Sequence, residues 1–125
     1  MKKIINTPNA PAPIGPYSQA VMHGDTLYVS GQIPMDPATS ELVQGDITAE
    51  THRVMRNMKA ILEEAGLDFS NVVKCSIFVS DMGNFQAINA AYGEYFKENP
   101  PARETVEVSQ LPKSVNVEIS CVAIQ

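Results

Sequence analysis

Apolar residues recur at helical spacing in two stretches of this chain and with a period of two in the stretches around them. That alternation restricts the fold more than any other feature. Val54, Met55, Met58, Ile61, Leu62 and Ala65 form one stripe, the spacing that lines up side chains on one face of an α-helix. Asp46 or Thr48 is placed to cap its start and Gly66 to stop it,. The second stripe follows Asp81 and runs through Phe85, Ile88, Tyr92, Tyr95 and Phe96,. Between and around these helices the period is that of strands. Leu27, Val29, Gly31 and Ile33 alternate with Tyr28, Ser30 and Gln32 until Pro34 ends the run,. A Gly24-Asp25 turn joins that run to Val21-Met22-His23 as a hairpin,. Val73, Cys75, Ile77 and Val79 share one face, and Val115, Val117, Ile119, Cys121 and Ala123 share another. The order is β-β, helix, β, helix, β-β, with room for a further first strand at Lys3 to Asn6 and with no repeat and no linker. The pattern predicts a single α+β domain over residues 1–125.

Two helices cover only one face of a five- or six-stranded sheet. The other face is assigned Tyr28, Ser30, Gln32, Thr105, Asn116, Glu118, Ser120, Val122 and Ile124. That set is too mixed for plain solvent exposure, and Val122 and Ile124 favour burial against a second molecule. Another copy of the chain is the simplest partner, and a cleft between copies is a natural binding site.

Composition removes several function classes. A chain of 125 residues with 44% hydrophobic side chains supports one core and not two,. A net charge of −5 with nine scattered basic residues argues against a nucleic-acid partner,. No run reaches the length of a membrane span. Met1-Lys2-Lys3 is followed by Asn6, Thr7, Pro8 and Asn9 where a signal peptide needs an apolar core,. With two cysteines only, the expectation is a cytoplasmic protein with reduced thiols,. Cys75 and Cys121 alternate into apolar sets and read as inert core residues. His23 and His52 have no ligand spacing to each other or to the cysteines, so no metal site is expected,.

The chemistry concentrates near the C-terminus. Pro100-Pro101 fixes the chain as it enters a strand at Ala102-Arg103,. A guanidinium held this way makes paired hydrogen bonds to a carboxylate, although a surface arginine opening an ordinary strand fits the same residues. Arg103 and Thr105 share strand parity, and Glu118 lies opposite in parity to Val117 and Ile119. If the last two strands pair, Arg103 and Glu118 meet on the uncovered face. They form there either a cross-strand salt bridge or a carboxylate receptor beside a group that handles water.

Several ordered motifs resemble those of one family. They are Ile14-Gly15-Pro16-Tyr17-Ser18-Gln19-Ala20, Tyr28-Val29-Ser30-Gly31-Gln32-Ile33-Pro34, Asn89 before Tyr92, and Pro101-Ala102-Arg103 through Leu111-Pro112 to Val117-Glu118-Ile119. Together they resemble the Rid family of reactive intermediate deaminases, and within it the RidA subgroup. The resemblance implies a chorismate-mutase-like α+β fold, with a mixed sheet and two helices on one face. It implies a homotrimer with ligand clefts between subunits. It also implies hydrolysis of 2-imino or 2-enamino acids, such as 2-iminobutanoate and 2-iminopropanoate, to 2-oxo acids and ammonia without a cofactor, in amino-acid metabolism. By the same resemblance Arg103 binds the substrate carboxylate, and Tyr17, Ser30, Gly31, Asn89, Thr105 and Glu118 line the cleft, with Glu118 orienting or deprotonating water. Many relatives carry cysteine where this chain has Thr105, so a reactive thiol is not expected, while the Thr105 backbone N–H can still serve a carboxylate. Glu104, after the arginine, is expected by parity to point away from the pocket. A carboxylate-binding protein without turnover is the alternative use of the same residues.

Overall fold

The computed structural model describes residues 1–125. Six strands form one sheet: β1 (Lys3–Ile5), β2 (Ala20–His23), β3 (Thr26–Gln32), β4 (Val72–Val79), β5 (Ala102–Glu107) and β6 (Val117–Ile124). The helix α1 (Ile47–Glu64) packs against it, and α2 (Phe85–Gly93) packs on α1 with Ile88 and Tyr92 in the same core. The order across the sheet is β1-β2-β3-β6-β4-β5. Every neighbouring pair is antiparallel except β4 with β5. Because β6 is antiparallel to both β3 and β4, strands β3, β4 and β5 run the same way. The two crossovers, β3–α1–β4 and β4–α2–β5, step across the sheet in one direction. A common handedness therefore lays both helices on one face.

Local chemistry sets α1. Asp46 accepts a hydrogen bond from the Thr48 N–H at 3.0 Å, and Gly66 leaves the helix with φ +77°. Val54, Met55, Met58, Ile61 and Leu62 are fully buried against Leu27, Ile77, Val117 and Ile119 in one core. Asp81 caps a 3-10 turn over Met82–Asn84, and α2 begins only at Phe85. That helix stops at Gly93, so Tyr95 and Phe96 follow it rather than extend its stripe. The Tyr95 hydroxyl instead reaches His52 Nδ1 at 2.8 Å, tying the end of the α2 segment to α1.

Three parities differ from the sequence expectation. Between Val29 and Gln32, β3 bulges against β6, so Ser30 and Gly31 together oppose Ser120,. Gln32 thereby turns inward and is buried, while Gly31 and Ile33 leave the core face. A second irregularity between Val72 and Lys74 leaves Val73 exposed. The largest difference concerns the last two strands, which do not pair. β6 returns into the gap between β3 and β4, and β5 sits beyond β4 at the edge. Arg103 lies opposite Cys75 and Thr105 opposite Ile77, both of which face the helices. Arg103 and Thr105 therefore share the helix-bearing face, not the uncovered one.

Candidate active site

The predicted site residues divide into two groups on opposite sides of the sheet. One group surrounds Glu118. It lies between buried Val117 and Ile119 and projects from the uncovered face. An open cavity of about 600 Å³ there is lined by Ile14, Tyr17, Ser30, Gly31, Ile33, Pro112, Lys113 and Glu118. Its geometry starts at Gln19, a buried side chain whose amide accepts from the Thr7 N–H at 2.7 Å. The same amide donates to the carbonyls of Thr7 at 3.0 Å and Pro11 at 2.9 Å. Satisfying a buried amide with backbone groups pins the irregular loop that carries Tyr17. Ser30 adds a second anchor, its Oγ donating to the Ser18 carbonyl at 2.6 Å and its N–H to the Gln19 carbonyl at 2.9 Å. The Ser30 hydroxyl is thus spent on fixing the Tyr17 loop.

Gly31 is required by close approach. A Cβ built on it would collide with Glu118 Oε2 and lie 2.7 Å from Glu118 Cδ. The β3 bulge and the missing side chain together let Glu118 lie flat over the strand. Burial pushes the Glu118 carboxyl above its ordinary value of 4.5, and no cation pairs with it. Its neutral form is thus favoured in the folded protein, which adds stability at low pH that is lost as pH rises through the raised pKa. Glu118→Gln is accordingly expected to melt higher than wild type at pH 7, with the difference closing as the pH falls toward 4.5. Calorimetric melts at the two pH values check this, and a difference independent of pH contradicts it.

The other group surrounds Arg103 at the start of β5. Asn89, Tyr92, Gly93, Phe96, Pro100, Pro101 and Arg103 line an open cavity of about 470 Å³. Arg103 Nη1 donates to Asn89 Oδ1 at 2.6 Å, and the guanidinium remains exposed. Thr105 follows two residues along, its Oγ1 buried without a partner. Glu104 turns to the opposite face, as its parity predicts. There it bonds Lys74 Nζ at 2.9 Å and the Ser76 hydroxyl. The Ser76 bond and Lys74 hold its carboxyl below the ordinary range, so it does not compete for Arg103.

All seven predicted residues thus occupy defined positions, but the chain does not bring them together. Tyr17, Ser30, Gly31 and Glu118 form an anionic half, whereas Asn89, Arg103 and Thr105 form a cationic one. Sequence reasoning missed Lys113 in the anionic half. Lys113 and Ser114 adopt left-handed φ values of 55° and 57°, a conformation that costs L-residues energy and gathers at functional sites. Its only signal was adjacency to the Leu111-Pro112 motif.

Comparisons with known proteins agree with the family resemblance. The profile of the Endoribonuclease L-PSP family matches residues 7–125. A RutC family protein of Pyrococcus horikoshii is 52% identical, over 98% of each chain. The human 2-iminobutanoate/2-iminopropanoate deaminase is 46% identical over all of this chain and 91% of its own. The crystal structure of a conserved Rid family protein from Yersinia pestis superposes with a TM-score of 0.96 at 46% identity, covering all of both chains. A profile spanning nearly the whole length, together with relatives of this identity and a shared six-stranded fold, shows that the chain belongs to the Rid family.

Proposed function

We propose that the protein hydrolyses small 2-imino acids to 2-oxo acids and ammonia in a cleft completed by two copies of the chain. The carrying observation is the division of the site: a cation shaped for a carboxylate on one sheet face and an unpaired carboxyl on the other. One chain cannot apply both to a small substrate, whereas a neighbouring copy can supply the missing half. The resemblance to a family of trimers and the similarity to the human deaminase support the same reading.

In this cleft Arg103 of one copy holds the substrate carboxylate through paired hydrogen bonds, with the Thr105 backbone beside it. Glu118 of the other copy faces the iminium carbon, and Tyr17 closes the side. A protonated imine is already electrophilic, so position and a directed water suffice. Glu118 takes a proton as the water oxygen bonds to carbon, forming a carbinolamine. It then returns that proton to the amine nitrogen, the C–N bond breaks, and the hydroxyl proton leaves with the nitrogen as ammonium. The product is the 2-oxo acid. Burial raises the Glu118 pKa and so makes its carboxylate a stronger base for the first of these steps,.

A dehydratase that generates 2-iminobutanoate from threonine supplies the assay. The protein is expected to accelerate imine loss in a dose-dependent way. Binding of 2-oxobutanoate without any acceleration would instead assign the cleft to carboxylate binding without turnover.

The same reading requires assembly. Sedimentation at micromolar concentration is expected to give about three times the 13.6 kDa chain mass,. A stable monomer contradicts a shared cleft.

A further inference from the structure

Three α2 side chains, Phe85, Asn89 and Tyr92, follow one another at i, i+4 and i+7 and so stack along one helix face,. All three meet the Arg103 guanidinium. Its carbon lies 5.6 Å from the Phe85 ring centroid and 5.3 Å from the Tyr92 centroid, while Asn89 accepts from Nη1. Distances of this size over aromatic rings give cation–π attraction. The Tyr92 ring is itself packed into the core. It is buried and packs on Phe96 at 4.8 Å between centroids, and Phe96 meets Phe69 edge-on at 5.3 Å. It is the Tyr92 ring, not its hydroxyl, that meets the guanidinium.

We infer that Phe85 and Tyr92 are positioning residues that fix the orientation of Arg103 before substrate arrives. An exposed arginine normally loses rotamer freedom when it binds an anion, and that loss weakens binding. Here two rings and one amide hold the guanidinium from the α2 side, leaving its remaining N–H groups free for a carboxylate. The proline pair constrains the backbone, and the α2 stripe constrains the side chain beyond it. This inference rests on the proposed role of Arg103 as carboxylate receptor.

The test compares Phe85→Leu and Phe85→Met, which remove the ring, with Phe85→Tyr and Tyr92→Phe, which keep it. Three quantities are read: the melting temperature, the order parameter of the Arg103 side-chain Nε–H by NMR, and the dissociation constant for 2-oxobutanoate. In the wild type and the ring-keeping variants the Nε–H is expected to be rigid. In the folded ring-removing variants it is expected to become mobile, with 2-oxobutanoate binding weakened about three- to tenfold. In the imine assay these variants should raise KM with little change in kcat, because a carboxylate contact holds substrate and transition state alike. Either ring-removing variant suffices if the other does not fold. An Nε–H as rigid in Phe85→Leu or Phe85→Met as in the wild type overturns the inference, as does a mobile one in the wild type. Rigid Arg103 and intact 2-oxobutanoate binding in a wild type that does not turn over imines would overturn the deaminase reading alone.

Discussion

Gly31→Ala is expected to lower imine turnover about a hundredfold, the scale on which a catalytic group misplaced by an ångström loses its effect. The added Cβ would collide with Glu118 Oε2 and sit within 3.0 Å of its Cγ. Real Cβ atoms do not tolerate such contacts, so one group moves. The carboxyl is the free end of a flexible side chain, while Gly31 belongs to a strand paired through its neighbours Val29 and Gln32. The carboxyl therefore swings away and the strand stays. The Gly31 backbone is not left-handed, so alanine adds no strain of its own, and the melting temperature should stay near wild type. Turnover at the wild-type rate in Gly31→Ala would show that the position of Glu118 does not matter to the reaction.

Arg103→Lys should cost comparably, although it keeps the charge. Lysine is a point donor on a flexible stem and cannot make two parallel contacts to one carboxylate. Losing a charge-assisted hydrogen bond costs about 1.5–3 kcal/mol, or roughly ten- to a hundredfold in binding. The loss should appear in substrate KM and in 2-oxobutanoate affinity together. Arg103 is exposed on an edge strand, so the core should not register the change. Wild-type kinetics in a folded Arg103→Lys protein would return this residue to the role of an ordinary surface arginine.

What was legible in the sequence was the chemistry that is local. The Asp46 cap, the Gly66 stop and the apolar stripe of α1 involve residues within a few turns of one another, and the structure shows them as expected. The alternation of β6 from Val117 to Ala123 also held, because an unbroken strand keeps its parity. Parity failed where pairing with a distant strand decides it. The β3 bulge exists only against β6, some ninety residues later in the chain, and it exchanged the faces of Gly31 and Gln32. Adjacency in sequence leaves pairing of β5 with β6 open, and the sheet does not make it. Burying β6 between β3 and β4 gives it hydrogen-bonded neighbours on both sides and places Cys121, Ile119 and Val117 beneath α1, which an edge position next to β5 could not do. That insertion moved Arg103 and Glu118 to opposite faces. The left-handed Lys113 was equally hidden, since lysine carries no turn signature of its own,.

A shared cleft has one consequence that no single-chain site can mimic. Arg103→Ala and Glu118→Ala should each be almost inactive as pure proteins. In assemblies formed by refolding the two together in equal amounts, some clefts pair the intact Arg103 of one variant with the intact Glu118 of the other. For random mixing into closed rings that share of clefts is roughly a quarter. Imine hydrolysis by the mixture is therefore predicted to recover to about a quarter of the wild-type rate. Mixed assemblies verified by native mass spectrometry, yet no more active than the two parent variants, would contradict a site built from two copies of the chain.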